Sequence, residues 1–95
     1  MFDKAKAAWR AKQIQNELRK MEFVGEELGG KVKVIVNGEQ RVQRVEIAEE
    51  LMTPSEKETV ERLIKQATTA AISKSQQSAA EKMKKVAKDL GIGGF

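Results

Sequence analysis

The 95 residues are 40% hydrophobic and 34% charged with a net charge of +4, which suits one soluble, helix-rich domain and is too little for two. Cys, His and Tyr are all absent, which removes disulfides, thiol chemistry, the soft metal ligands and the commonest general base. The expectation is a cytoplasmic, non-enzymatic protein without cofactor or metal. No apolar run approaches the roughly 20 residues of a membrane span, and the N-terminus has no signal-peptide apolar region.

A first helix is predicted over residues 2–21, whose interior is built from Ala, Lys, Gln, Glu, Leu and Arg, all good helix formers. Ala7, Ala11, Ile14, Leu18 and Met21 recur at spacings of 4, 3, 4 and 3, the rhythm of a coiled-coil-like seam. Trp9 lies off that seam. Three readings stay open for it: the rim of a core, a contact with a partner protein, or a ring that stacks on a base.

A three-stranded meander is predicted over residues 22–48. Its first strand, 22–28, has Phe23 and Val24 as apolar content, with Gly25 expected at a bulge or bend. Gly29-Gly30 marks a flexible turn. Residues 31–36 alternate and place Val32, Val34 and Val36 on one face. Asn37-Gly38 signals a hairpin, yet a strict two-residue turn would set Val34 against Arg41. A four-residue loop over 37–40 pairs Val32 with Val45 and keeps the apolar faces together, so a longer loop or a bulge is expected.

The second helix, about 54–90, opens on Thr53-Pro54-Ser55-Glu56, which reads as a capping box with proline at the first helical position. Glu56, Glu58 and Glu61 near its start and Lys84, Lys85 and Lys88 near its end complement the helix dipole. Gly91 stops it, with Ile92 placed for a hydrophobic capping contact, and 91–95 form a Gly-rich flexible tail. From 53 to 90 such a helix measures about 55 Å. Six-residue strands span only about 20 Å, so more than half of the helix runs past its own sheet.

Val60, Leu63, Ile64, Ala67, Ala70 and Ala71 cluster on the proximal face. Residues 73–78 contain no apolar side chain and read as a solvated crossover, with Ser75, Gln76, Gln77 and Ser78 as secondary candidate contacts. Beyond them Ala79, Met83, Val86 and Leu90 form a distal stripe rotated by about 130° from the first, more than supercoil drift provides. Uncovered stripes on long helices imply a homodimer, with Ile14, Leu18, Met21, Met83, Val86 and Leu90 at its interface.

Charge is segregated. Residues 1–21 carry six bases against two acids and residues 74–90 five against two, while 22–73 carry seven against ten. Two basic ends around an acidic centre point to a polyanion partner. The basic candidates are Lys4, Lys6, Arg10, Lys12, Arg19 and Lys20 on the first helix and Lys74, Lys82, Lys84, Lys85 and Lys88 on the second.

A long basic helix, a short meander with Val32 to Gly38 and then Arg44-Val45-Glu46-Ile47, Leu51, a capped Ala-rich helix with Ala67 to Ala71 and Glu81-Lys82-Met83, and Leu90-Gly91-Ile92-Gly93 at the end occur in a familiar order. With Met1-Phe2 at the start, the chain resembles the YbaB/EbfC nucleoid-associated proteins over essentially its whole length. It departs from them in an Ala- and Lys-rich start that carries a Trp. The resemblance implies a small bacterial protein of the α+β class, α-β-β-β-α, forming an intertwined homodimer. It also implies double-stranded DNA as partner, bound with little sequence preference through the two helices, and no membrane or small-molecule substrate. Phosphate contacts from the basic candidates would carry that binding. The alternative is an interaction adaptor or assembly factor that grips a protein with its apolar seams. A membrane-surface helix is disfavoured because an Ala-rich seam offers little area to insert.

Overall fold

The computed structural model describes residues 4–89 and 91. They form α1 (Lys4–Lys20), β1 (Glu22–Glu27), β2 (Val32–Asn37), β3 (Val42–Ile47) and α2 (Lys57–Asp89), joined in part by short 3-10 turns at Leu28–Gly30, Glu49–Leu51 and Pro54–Glu56. This is the α-β-β-β-α order read from the sequence. The expected helix start at Phe2, the interface position Leu90, the capping contact of Ile92 and the tail over 92–95 lie outside the described residues.

The three strands are antiparallel in the order β1-β2-β3. Val34 lies opposite Val45 and Val32 opposite Ile47, so the expected pairing of Val32 with Val45 is corrected by two residues. Two devices cause the shift. The Asn37 N–H donates to the Arg41 carbonyl, closing a loop over 38–41, and a bulge between Ile35 and Val36 of the β2 register admits one more residue in β3. An even shift leaves Val45 and Ile47 on the apolar face, which is why the pattern constrains the face better than the pairing.

α2 lies over β1 and β2. Val32, Val34 and Val36 pack with Leu51, Leu63, Ala67 and Ala71, and Phe23, Ile47, Val60, Ile64 and Ile72 lie around them. Gly25 sits in regular pairing opposite Val34, which corrects the expected bulge. Its place is dictated by the helix: an added Cβ would fall 2.9 Å from the Ala71 amide nitrogen and closer still to the Ala67 carbonyl oxygen. On the other face Ile35 is buried between Val24 and Arg44. The Arg44 side chain crosses β2 to Glu22 at 3.0 Å and also holds Glu46 at 3.0 Å.

The start of α2 differs from the sequence reading. The Thr53 side chain caps nothing and instead meets the Ser55 hydroxyl at 3.1 Å, while the Glu56 N–H bonds to the Thr53 carbonyl as a 3-10 turn. At the other end Gly91, at φ 70°, donates its N–H to the Lys88 carbonyl.

Beyond the sheet, α1 folds back along the distal half of α2. Ile14, Leu18 and Val86 form a second buried cluster, with Met21 and Ala79 against it. Ion pairs Arg10–Asp89 at 3.5 Å and Lys82–Glu17 at 3.9 Å fix the antiparallel register. The excess length of α2 is therefore covered within one chain. The change of buried face is also gradual. Leu63, Ala67, Ala71 and Ser75 are all buried at four-residue steps, and each step turns the stripe by about 40° at 3.6 residues per turn.

Candidate nucleic-acid interface

The antiparallel pairing of α1 with the end of α2 brings the two basic ends of the chain onto one arm. Residues 4–20 and 74–89 together hold eleven bases and three acids, a net charge of +8, whereas residues 21–73 hold seven bases and ten acids. The two basic segments, at opposite ends of the sequence, thus become one region in space: a basic two-helix arm beside an acidic sheet end.

The hinge of this arm is the tip of the β2–β3 hairpin. The Asn37 side-chain oxygen accepts the backbone N–H groups of Glu39 and Arg41 at 2.9 and 3.1 Å, shaping the loop. Gly38 donates its N–H to the Leu18 carbonyl at 2.7 Å, and a Cβ there would fall 2.8 Å from the Leu18 Cα. The Ser75 hydroxyl donates to the Asn37 carbonyl at 2.7 Å. Glu39 then accepts from Arg19 at 2.9 Å and Gln15 at 3.1 Å. The Arg19 hydrogen bond, ahead of that from Gln15, holds the Glu39 carboxyl below its ordinary value of 4.5. One loop tip thereby anchors the C-terminal end of α1 and the midpoint of α2.

The basic candidates fall into two sets. Lys4, Lys12, Lys20, Lys84, Lys85 and Lys88 are exposed, with no carboxylate at ion-pair distance among the described residues; Lys6 is exposed as well. The others have internal partners. Arg10 holds Gln13 and Asp89, Arg19 holds Glu39, Lys82 holds Glu17, and Lys74 donates to the Val24 carbonyl at 2.8 Å. Ser75, expected on a solvated crossover, is fully buried and engaged with Asn37, which removes it as a surface contact.

Arg62 and Lys65 belong to the acidic centre of the sequence and are not among the expected basic contacts. With Gln66, Thr69, Ala70 and Ser73 they line a shallow groove of about 550 Å³ along the solvent side of α2. Their recurrence at three- and four-residue steps opposite Leu63 and Ala67 was the available signal. Of the expected interface residues, Ile14, Leu18 and Val86 are brought together inside one chain with Met21 beside them, and Met83 is 48% exposed. No group of three or more Asp or Glu among the described residues is arranged to hold a metal ion.

An α+β meander carrying a basic two-helix arm defines the class of small fold to which this chain conforms. The chain belongs to the YbaB/EbfC DNA-binding family, whose sequence profile matches residues 1–90. It is 39% identical over 85 residues to a nucleoid-associated protein of Nostoc punctiforme, covering 90% of this chain and 73% of that one. It is 40% identical over 85 residues to one of Synechococcus elongatus, covering 90% and 74%. The crystal structure of an uncharacterized Helicobacter pylori protein has the same fold, with a TM-score of 0.65 at 18% identity over 94% of this chain and 88% of that one.

Proposed function

We propose that this protein is a nucleoid-associated DNA-binding protein that grips duplex DNA through phosphates with its two-helix arm. The reading is carried by one observation: among the described residues the arm holds six exposed lysines whose side chains have no internal partner and the rest of the chain one, Lys65, while the acidic side chains gather at the sheet. Lys4, Lys12, Lys20, Lys84, Lys85 and Lys88 are the proposed primary contacts, and Lys6, exposed on the same helix as the first three, adds to their field. Arg10, Arg19, Lys74 and Lys82 contribute field and are available once their internal partners exchange. Exposed ammonium groups on helices suit point-charge contact with phosphates and not base readout, so binding is expected to depend steeply on salt and weakly on sequence. Family membership and the names of the cyanobacterial relatives support the same assignment, and with it a location on the nucleoid.

The same reading includes a homodimer. Because α2 lies mainly over β1 and β2, β3 keeps an open edge and exposes Val42 at 50% and Val45 at 44%, with Met52 at 66% nearby. Leu51, Met52, Pro54 and Val60 line an adjoining hollow of about 330 Å³. Unpaired edge strands with apolar side chains invite a second strand. A second copy docked there would double the arms and with them the phosphate contacts.

The deciding experiment is a salt titration of binding to random-sequence duplex DNA. A steep linear fall of log affinity with log salt supports phosphate binding. Salt-independent capture of a protein partner, with no DNA bound at low salt, replaces this reading by the adaptor.

A further inference from the structure

Trp9 is the least protected aromatic among the described residues. It lies on α1, is 64% exposed, and contributes nothing to either core cluster. Five and nine residues separate it from Ile14 and Leu18, which at 3.6 residues per turn puts it roughly opposite the buried seam. Among the described residues its neighbours along the ridge are Ala5, Lys6, Lys12, Gln13, Asn16 and Lys20, with no carboxylate among them and no large apolar side chain.

That company argues against a protein contact. Aromatic anchors at protein interfaces sit among side chains that exclude water around them. A single ring flanked by ammonium and amide groups matches a different ligand, one with a flat π-face and a negative charge close by. A nucleotide has both. Stacking of a base on an aromatic ring is tolerant of sequence, and the neighbouring cations meet the backbone.

Geometry selects the kind of nucleic acid. An α-helix about 10–12 Å across cannot enter a minor groove about 6 Å wide, and in the major groove its side chains meet base edges. The faces of paired bases are covered by their neighbours in the stack. We infer that Trp9 is a stacking platform for an unpaired nucleobase, giving the arm a site for single-stranded DNA beside its phosphate-binding lysines. The inference rests on the DNA-binding reading above and adds a preference to it.

The chain has one Trp and no Tyr, so intrinsic emission excited in the indole band reports Trp9 alone. The intact protein is titrated with a single-stranded oligothymidine and with a blunt duplex of equal length, and affinities are measured for the wild type, Trp9→Leu and Trp9→Phe. Emission is expected to be quenched by the single strand and nearly unchanged by the duplex. Trp9→Leu is expected to weaken single-strand binding by about 5- to 150-fold, to leave duplex affinity and its salt slope within twofold, and Trp9→Phe to retain most of the binding. Unchanged emission at saturating single strand, or equal losses on both DNAs, would overturn the inference while leaving duplex binding intact. Emission already blue-shifted without DNA, and dependent on protein concentration, would assign the ring to a contact between copies and overturn it too. Loss of all DNA binding by the wild type would instead remove the reading on which it rests.

Discussion

Single atoms decide how α2 sits on the sheet. Gly25 lets the backbone of α2 approach β1 to contact, and no side chain can occupy that space. Gly25→Ala is expected to destabilise the fold by about 1–3 kcal/mol or more through overpacking, read from urea denaturation. A loss within experimental error would show that the helix can ride outward without strain. Glu39 is the titrating member of the hairpin tip. Its carboxyl is depressed in the folded protein by Arg19 and then Gln15, so its stabilising contribution is present above the ordinary value of 4.5 and is lost as pH falls through the lower folded value. Amide protection at the C-terminal end of α1 is therefore expected to weaken as the solution is acidified below that value, and Glu39→Gln should flatten the response. Protection that follows the same pH curve in both proteins would place the titration elsewhere.

The two clusters make separable contributions to α2. Leu63, buried at 5% exposure on Val32, Val34 and Val36, belongs to the sheet core, and Leu63→Ala is expected to cost about 2–5 kcal/mol of global stability. Leu18 belongs to the arm, where it packs with Ile14 and Val86. Leu18→Lys should release α1 from α2 while the sheet stays folded, because the sheet core does not include it. Hydrogen exchange distinguishes these outcomes: α1 amides lose protection in Leu18→Lys, and β2 amides keep theirs. Equal loss in both elements would mean that arm and sheet fold as one unit.

For the assembled protein, affinity is expected to follow arm charge. Changing Lys84, Lys85 and Lys88 together to Gln removes three exposed cations per chain that have no internal ion pair among the described residues. The slope of log affinity against log salt should flatten by up to about 0.9 per lost contact, uniformly across DNA sequences. Thermal stability should hardly change, since exposed lysines contribute little to folding. An unchanged slope would make this end of the arm a solvated face. Val45→Lys, on the open side of β3, is expected to convert the proposed dimer to a monomer in sedimentation without melting the sheet. A variant that sediments as the wild type does would move the contact away from β3.

Local chemistry made much of this fold legible in advance. Helix formers without Gly or Pro marked α1, alternating valines marked β2, and Thr53-Pro54 with Gly91 bracketed the second helical segment, because each signal acts over a few residues. The basic character of both chain ends was visible for the same reason. Pairings between distant residues were not. The β2–β3 register shifted by two because a bulge and a loop closure satisfy backbone hydrogen bonds without disturbing the face pattern. Ser75 looked solvated because its acceptor, the Asn37 carbonyl, lies 38 residues away. The α1–α2 seam read equally well as a contact between chains, since periodicity identifies a buried face and never the surface that buries it. Which basic side chains are held, Arg10 by Asp89, Lys82 by Glu17 and Lys74 by the Val24 carbonyl, is likewise settled only by the path of the chain, because such a contact depends on distance in space and not along the sequence.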